Sequence, residues 1–125
     1  MKNKYLLDSN VLIDYFRGFI PVVDFINQLV NSENINIAIS GVTELEIYAG
    51  KSMDQPDVQY KVEGLIQQIK VCSVSRNLLQ QSGRLCRKAN IQPVDAIIAM
   101  TAINNNYILV TRNIKDFHPI KGLRL

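Results

Sequence analysis

Four short apolar runs rich in β-forming residues punctuate the chain: "KYLLD" at 4–8, "INIAIS" at 35–40, "IKVCSVS" at 69–75 and "NYILVT" at 106–111. Each has the length and composition of a strand. The stretches between them change period. Val11, Leu12, Tyr15 and Phe16 repeat at helical spacing, and Pro21 opens a second helical stretch through Val30 that "NSEN" ends. In "GVTELEIYAG", Thr43 stands three residues before Glu46 and Gly50 closes the run, which predicts a helix of about two turns with a capping-box start and a glycine stop. Residues 57–69 and 76–90 carry helical apolar spacing, and "PVDAIIAMTAINNN" begins with Pro93 and ends in an asparagine cluster. "GLRL" at 122–125 is a last strand candidate, and "KSMDQPD" at 51–57 reads as a mobile loop. Strands alternating with helices predict βαβ units: an α/β fold with a central, mainly parallel sheet.

Composition narrows the classes. At 125 residues and 47% apolar, the chain fits a single domain over 1–125 with an ordinary core. No run approaches the ~20 apolar residues that span a bilayer. The start "MKNKYLLDSN" reaches an acid before a signal-peptide core could form. The expectation is a cytoplasmic protein with no membrane partner. Cys72 and Cys86 have neither CxxC spacing nor a flanking His, so they read as buried thiols rather than a disulfide or a zinc site. A net charge of +3 and a pI near 9.0 permit a polyanionic partner without requiring one.

The acids fall at telling places. Open parallel sheets bind ligands outside the carboxyl ends of their strands. Asp8 ends the first strand, Glu46 lies in the helix after the second, Asp95 sits in the first turn of a late helix, and Asp116 follows the strand ending in Thr111. Taken singly, each has a local explanation. Asp8 can cap a helix, Glu46 can complete the capping box, Asp95 can compensate a helix dipole and Asp116 can serve a turn. Their recurrence at equivalent positions favours one acidic rim. Crowded carboxylates require raised pKa values or a bound cation, and hard oxygen donors suit magnesium or manganese. Such a pocket suits phosphodiester hydrolysis by an activated water.

Other residues are weighed beside these. Asn10 can orient Asp8 or a bound water, whereas Asp14, four residues on, reads as solvated. Thr111 and Asn113 can orient ligands, and turn chemistry explains them equally well. Arg84, Arg87, Lys88, Arg112, Lys115, Lys121 and Arg124 are candidate phosphate contacts within an otherwise solvated basic surface. The single histidine, His118, is given no role.

"LLDSNVLIDY", "SGVTELEIYAG", "PVDAIIAMTA" and "ILVTRNIKDFHPIKGLRL" follow the order and approximate spacing of PIN-domain ribonucleases. The chain resembles in particular the VapC-type toxins of bacterial toxin–antitoxin pairs, over nearly its whole length. The family's D-[ST]-N is matched by Asp8, Ser9 and Asn10. Its T-x-x-E-x-x-x-G selects Glu46 over Glu44, Asp95 precedes the I-A-x-x-A helix, and T-x-N-x-x-D-F is matched by Thr111, Asn113, Asp116 and Phe117. Asn113 stands where many PIN domains carry Asp.

The resemblance implies a three-layer α/β/α PIN-like fold and a metal-dependent endoribonuclease using Mg2+ or Mn2+. Asp8 and Asp95 would be direct ligands. Glu46 would complete the shell or position water, Asp116 would support a second metal position, and Asn10, Thr111 and Asn113 would orient ligands or substrate. It further implies a single-stranded or structured RNA substrate, a small cognate antitoxin and a homodimer.

A receiver domain would need an acceptor Asp where this chain has "VCSVS", and a P-loop at "AGKS" would need Gly where it has Leu45. The remaining rivals keep the fold: a PIN-like module that binds RNA or protein without cutting, or a nuclease acting on DNA.

Overall fold

Each apolar run becomes a strand: β1 Asn3–Leu7, β2 Ile35–Ser40, β3 Lys70–Cys72 and β4 Ile108–Val110. In this computed structural model, which describes residues 3–32 and 35–125, the strands form one parallel sheet in the order β3-β2-β1-β4. Among the described residues seven α-helices flank it: α1 Ser9–Phe16, α2 Ile20–Val30, α3 Gly41–Tyr48, α4 Pro56–Ile66, α5 Arg76–Ala89, α6 Pro93–Asn105 and α7 Ile114–Phe117. The predicted α/β/α layering and parallel sheet are therefore present.

The two faces follow from strand periodicity. Leu7, Ile37 and Ile39 point to one side, where they pack with Leu12 of α1, Ile26 of α2 and Val62 of α4. Leu6 and Ala38 point to the other, where they meet Ile98, Ala99 and Ala102 of α6 and Phe117 of α7. Leu6, Leu7, Leu12, Ile26, Ala38, Ile39, Ala99 and Ala102 are all fully enclosed. Successive strand residues alternate between the faces, so a sheet covered on both sides demands apolar residues at both sets of positions.

Helix boundaries have local causes. Pro21, Pro56 and Pro93 sit in first turns, where no backbone N–H is needed. Asn90 and Asn106 end α5 and α6 in the left-handed region, at φ of 55° and 60°, which Asn tolerates better than most residues. A Cβ on Gly41 would lie 3.2 Å from Val74 Cγ2 and 3.3 Å from the Cys72 carbonyl oxygen, so only glycine lets α3 start against the end of β3 without displacing backbone.

Several expectations need correction. The cap of α3 is Ser40, whose hydroxyl accepts the Val42 N–H, and Thr43 is a fully buried helical residue. The capping box over Thr43 and Glu46 is absent because the strand runs into the helix three residues earlier than that motif assumes. Gly50 is not a left-handed stop; its φ is −69°, and α3 ends in the right-handed Ala49. Residues 51–57 are not a loose loop. Lys51–Asp54 form a 3-10 turn with Met53 buried, and Pro56 starts α4. "GLRL" reaches the sheet only through a single parallel bridge from Arg124 to Ile108. Within "NSEN", Asn31 caps α2, while Glu33 and Asn34 lie outside the described residues. Among the described residues, no helix is long and apolar enough to cross a membrane.

Candidate active site

β1 and β4 are neighbours in the sheet, yet the chain leaves β1 towards β2 and reaches β4 from the far edge at β3. Their carboxyl ends therefore flank a topological switch point, where parallel sheets open a crevice. Asp8 stands there. Its N–H donates to the Val110 carbonyl at 3.0 Å, its Oδ1 accepts the Ser9 N–H at 2.8 Å and its Oδ2 accepts the Thr111 hydroxyl at 2.7 Å. The residue is only 4% exposed. Asp8 caps α1 and also faces the crevice.

The next β-strand delivers the second acid. α3 begins directly after β2 and carries Glu46 at its exposed side, where Oε1 accepts the hydroxyl of Ser9. That hydroxyl also lies 3.4 Å from Thr43 Oγ1. Ser9 is thus a buried strut between α1 and α3 that fixes where the Glu46 carboxylate points. Asp95 enters from the opposite layer, in the first turn of α6. Its carboxyl is held above the ordinary value, first by burial and then by the charges of Asp8, Asp116 and Glu46. A first-turn position alone would act the other way, so burial and crowding together outweigh the helix dipole.

Asp8, Ser9, Asn10, Glu46, Asp95 and Asn113 line one cleft of about 240 Å³, over an apolar floor of Ile13, Val94 and Ile98. Thr111 acts from behind, holding Asp8 and accepting the Asn113 N–H at 3.0 Å. Asp116 lies outside that lining, exposed on α7, but near enough that its charge raises Asp95. Of the seven candidate residues, five line the cleft, Thr111 stands behind it in the loop after β4, and Asp116 stands beside it on α7.

The donors suit a hard cation. All offer oxygen ligands, the carboxylates repel one another, and among the described residues no basic side chain lines the cleft. As the side chains stand, no three His, Cys, Asp or Glu among the described residues surround one point that could hold a metal ion. The carboxylates of Asp8 and Glu46 are instead turned to hydroxyl and backbone amide donors.

The model of the PIN domain matches residues 5–122. The chain belongs to the PIN-domain family. It is 30% identical over 133 residues to Ribonuclease VapC2 of Rickettsia felis, covering 97% of this chain and 95% of that one. It is 27% identical over 129 residues to the tRNA(fMet)-specific endonuclease VapC of Salmonella typhimurium, covering 98% and 96%. The crystal structure of VapBC2 from Rickettsia felis, bound to a DNA fragment from the promoter, superposes with a TM-score of 0.82 at 26% identity, covering 98% of this chain and 96% of that chain.

Two features of this PIN domain escaped sequence reading. Ser9 was part of a matched motif but had no assigned function, because a serine after a capping Asp gives no sign of its partner 37 residues away. Asp14 is not solvated. It is buried and paired with Arg112, whose guanidinium is therefore engaged before any phosphate arrives. Arg124 is likewise bound to the carbonyl and side chain of Asn106. Arg84, Arg87, Lys88, Lys115 and Lys121 are exposed and line no part of the cleft. Of the two cysteines, Cys72 is buried and Cys86 half-buried, and both are free.

Proposed function

We propose that this PIN domain is the toxin of a toxin–antitoxin pair, a divalent-metal-dependent endoribonuclease that hydrolyses RNA phosphodiester bonds. The observation that carries the reading is the convergence of Asp8, Glu46 and Asp95 on one cleft at the switch point of a parallel sheet. Its support from kinship is that the relatives matched over nearly their full length are named as ribonucleases and endonucleases. The Salmonella relative is named for tRNA(fMet), which makes a tRNA the first structured substrate to try.

In this reading Asp8 and Asp95 would hold Mg2+ or Mn2+, with Glu46 completing the shell and Asp116 serving a second position. An ion bound there supplies an activated water and neutralises charge on the phosphate. The chain's own groups do the rest. Thr111 keeps Oδ2 of Asp8 in place, Ser9 sets the direction of Glu46, and Glu46 can accept a proton from the attacking water at a carboxylate oxygen. Asn10 and Asn113 on the cleft wall offer amide contacts to the phosphate. Attack forms a new P–O bond and releases the ribose oxygen, which takes up a proton. The protein would act in the cytoplasm as a homodimer and be silenced by a small antitoxin; several structural relatives are toxin–antitoxin complexes.

The decisive experiment is cleavage of a fluorescent single-stranded RNA pool and of tRNA with Mg2+, Mn2+ or EDTA, beside Asp8→Asn and Asp95→Asn. Divalent-dependent cutting lost in both folded variants is expected. The second reading, a PIN-like module that binds without cutting, rests on the Asp8 and Glu46 carboxylates being turned to protein donors and on Asn113. It becomes the better account if neither RNA is cut under any condition while the protein still binds RNA.

A further inference from the structure

A second cleft, of about 380 Å³, opens beside the acidic one and joins it, for Ile13 and Glu46 line both. Its walls come from Phe16, Met53 and Val58, and its rim carries Arg17 and Lys51, both exposed. The construction is local. Ile13, Phe16 and Arg17 recur at i, i+3 and i+4 on one face of α1. The turn Lys51–Asp54 faces Met53 inward and leaves Lys51 outward, and Gln59 Nε2 holds it by donating to the Met53 carbonyl at 2.6 Å. Among the described residues Glu46 is the one acid on this lining, and it is shared with the acidic cleft.

An apolar slot with two cations on its rim, opening onto an acidic cleft, has the parts that a nucleotide needs: a surface for the base and positive charge for its phosphate. We propose that this second cleft takes the base of a nucleotide adjoining the scissile phosphate, with Arg17 and Lys51 contacting that nucleotide's backbone. The inference rests on the ribonuclease reading and deepens it. A base can enter such a slot only when it is unpaired and splayed from its stack, so the slot selects single strands and loops over duplex. It also gives residues 51–54 a function, since their turn forms one wall. Two cations against a single acid favour an anionic occupant over a neutral or basic one, and the adjoining acidic cleft, where the ribonuclease reading puts the scissile phosphate, makes that occupant a nucleotide.

The test uses a cleavable single-stranded RNA in which the base is removed at one flanking position at a time. Wild type is expected to lose roughly ten-fold in kcat/KM at one such position, the scale of one base contact. Val58→Trp, which fills the slot, is expected to lose a similar factor on intact RNA and nothing further on the abasic one. The surface pair Arg17→Ala/Lys51→Ala, made also in an Asp8→Asn background and read by fluorescence anisotropy, is expected to weaken RNA binding and flatten its salt dependence. If Val58→Trp does not fold, this pair decides.

A wild type that cuts RNA yet is indifferent to every abasic position overturns the proposal and leaves the ribonuclease reading intact. Unchanged binding and salt slope in the surface pair do the same, and make a polypeptide segment the better occupant. A wild type that neither cuts nor binds RNA overturns both readings.

Discussion

Arg112 Nη1 lies 2.9 Å and 2.7 Å from the two carboxylate oxygens of Asp14, tying α1 to the loop after β4 across 98 residues. The Asp14 side chain is 10% exposed and that of Arg112 is 61% exposed. Two further bonds join the same elements, from the Thr111 hydroxyl to Asp8 and from the Arg112 N–H to Asn10 Oδ1 at 3.5 Å. The loop that carries Asn113 and leads to Asp116 is thus pinned to the helix that Asp8 caps.

The unequal exposure makes the two ends of the pair unequal. Arg112→Ala strands a buried carboxylate, whereas Asp14→Asn leaves a guanidinium that water can solvate. Urea unfolding is expected to show Arg112→Ala costing about 1–2 kcal/mol, discounted for the exposed arginine, and Asp14→Asn about half that or less. The double variant should recover most of the Arg112→Ala loss. Equal single losses that add in the double variant would refute the asymmetry.

Ser9→Ala releases Glu46 without opening a large cavity. Cleavage is expected to fall about ten-fold in kcat, the scale of one hydrogen bond to a charged group, with KM nearly unchanged. Ser9→Thr keeps the hydroxyl and should retain activity. An alanine variant as active as wild type would show that Glu46 needs no strut.

Thr111→Val preserves shape and removes the donor to Asp8 Oδ2. The expected cost is about 1–2 kcal/mol of stability together with a fall in cleavage, and Thr111→Ser should restore both. Loss of stability with full activity would mean that Asp8 holds its direction through the Ser9 N–H alone.

The four strands were readable because each is a compact β-rich run ended by a polar residue, and the parallel sheet followed from their alternation with helices. The placements of Asp8 and Asp95 were readable because a strand end and a helix first turn are positions the chain spells out, whereas Glu46, beyond the first turn of α3, was chosen over Glu44 through the family resemblance alone. What could not be read was distance. Nothing near Asp14 announces Arg112, and nothing near Ser9 announces Glu46, because these contacts exist only once the crossovers are wound. Thr43 misled for the opposite reason: its local pattern is a valid capping box, but β2 reaches Ser40, which takes the cap first. The turn at 51–54 was mistaken for a loose loop because burial of the single Met53 side chain holds it down.

Asp95 offers a test of the acidic cleft that needs no substrate. Its carboxyl is raised above the ordinary 3.8 by burial first, then by Asp8, Asp116 and Glu46. A raised folded value means that the native protein holds this proton more tightly than the unfolded chain does. The associated stability is fully present below 3.8 and is lost as pH rises through the folded value. At neutral pH, in EDTA, ionised Asp95 therefore works against the fold, and Asp95→Asn is expected to have a higher urea midpoint than wild type. That advantage should shrink towards nil as the pH falls below the ordinary carboxylate range. Millimolar Mn2+ should act in the opposite sense, because a cation bound to native carboxylates stabilises by mass action, and wild type should gain more than the variant. A variant no more stable than wild type in EDTA would mean that the crowding is relieved by hydration. One that gains as much from Mn2+ would mean that Asp95 holds no cation, and the ligand set would have to be sought in Asp8, Glu46 and Asp116 instead.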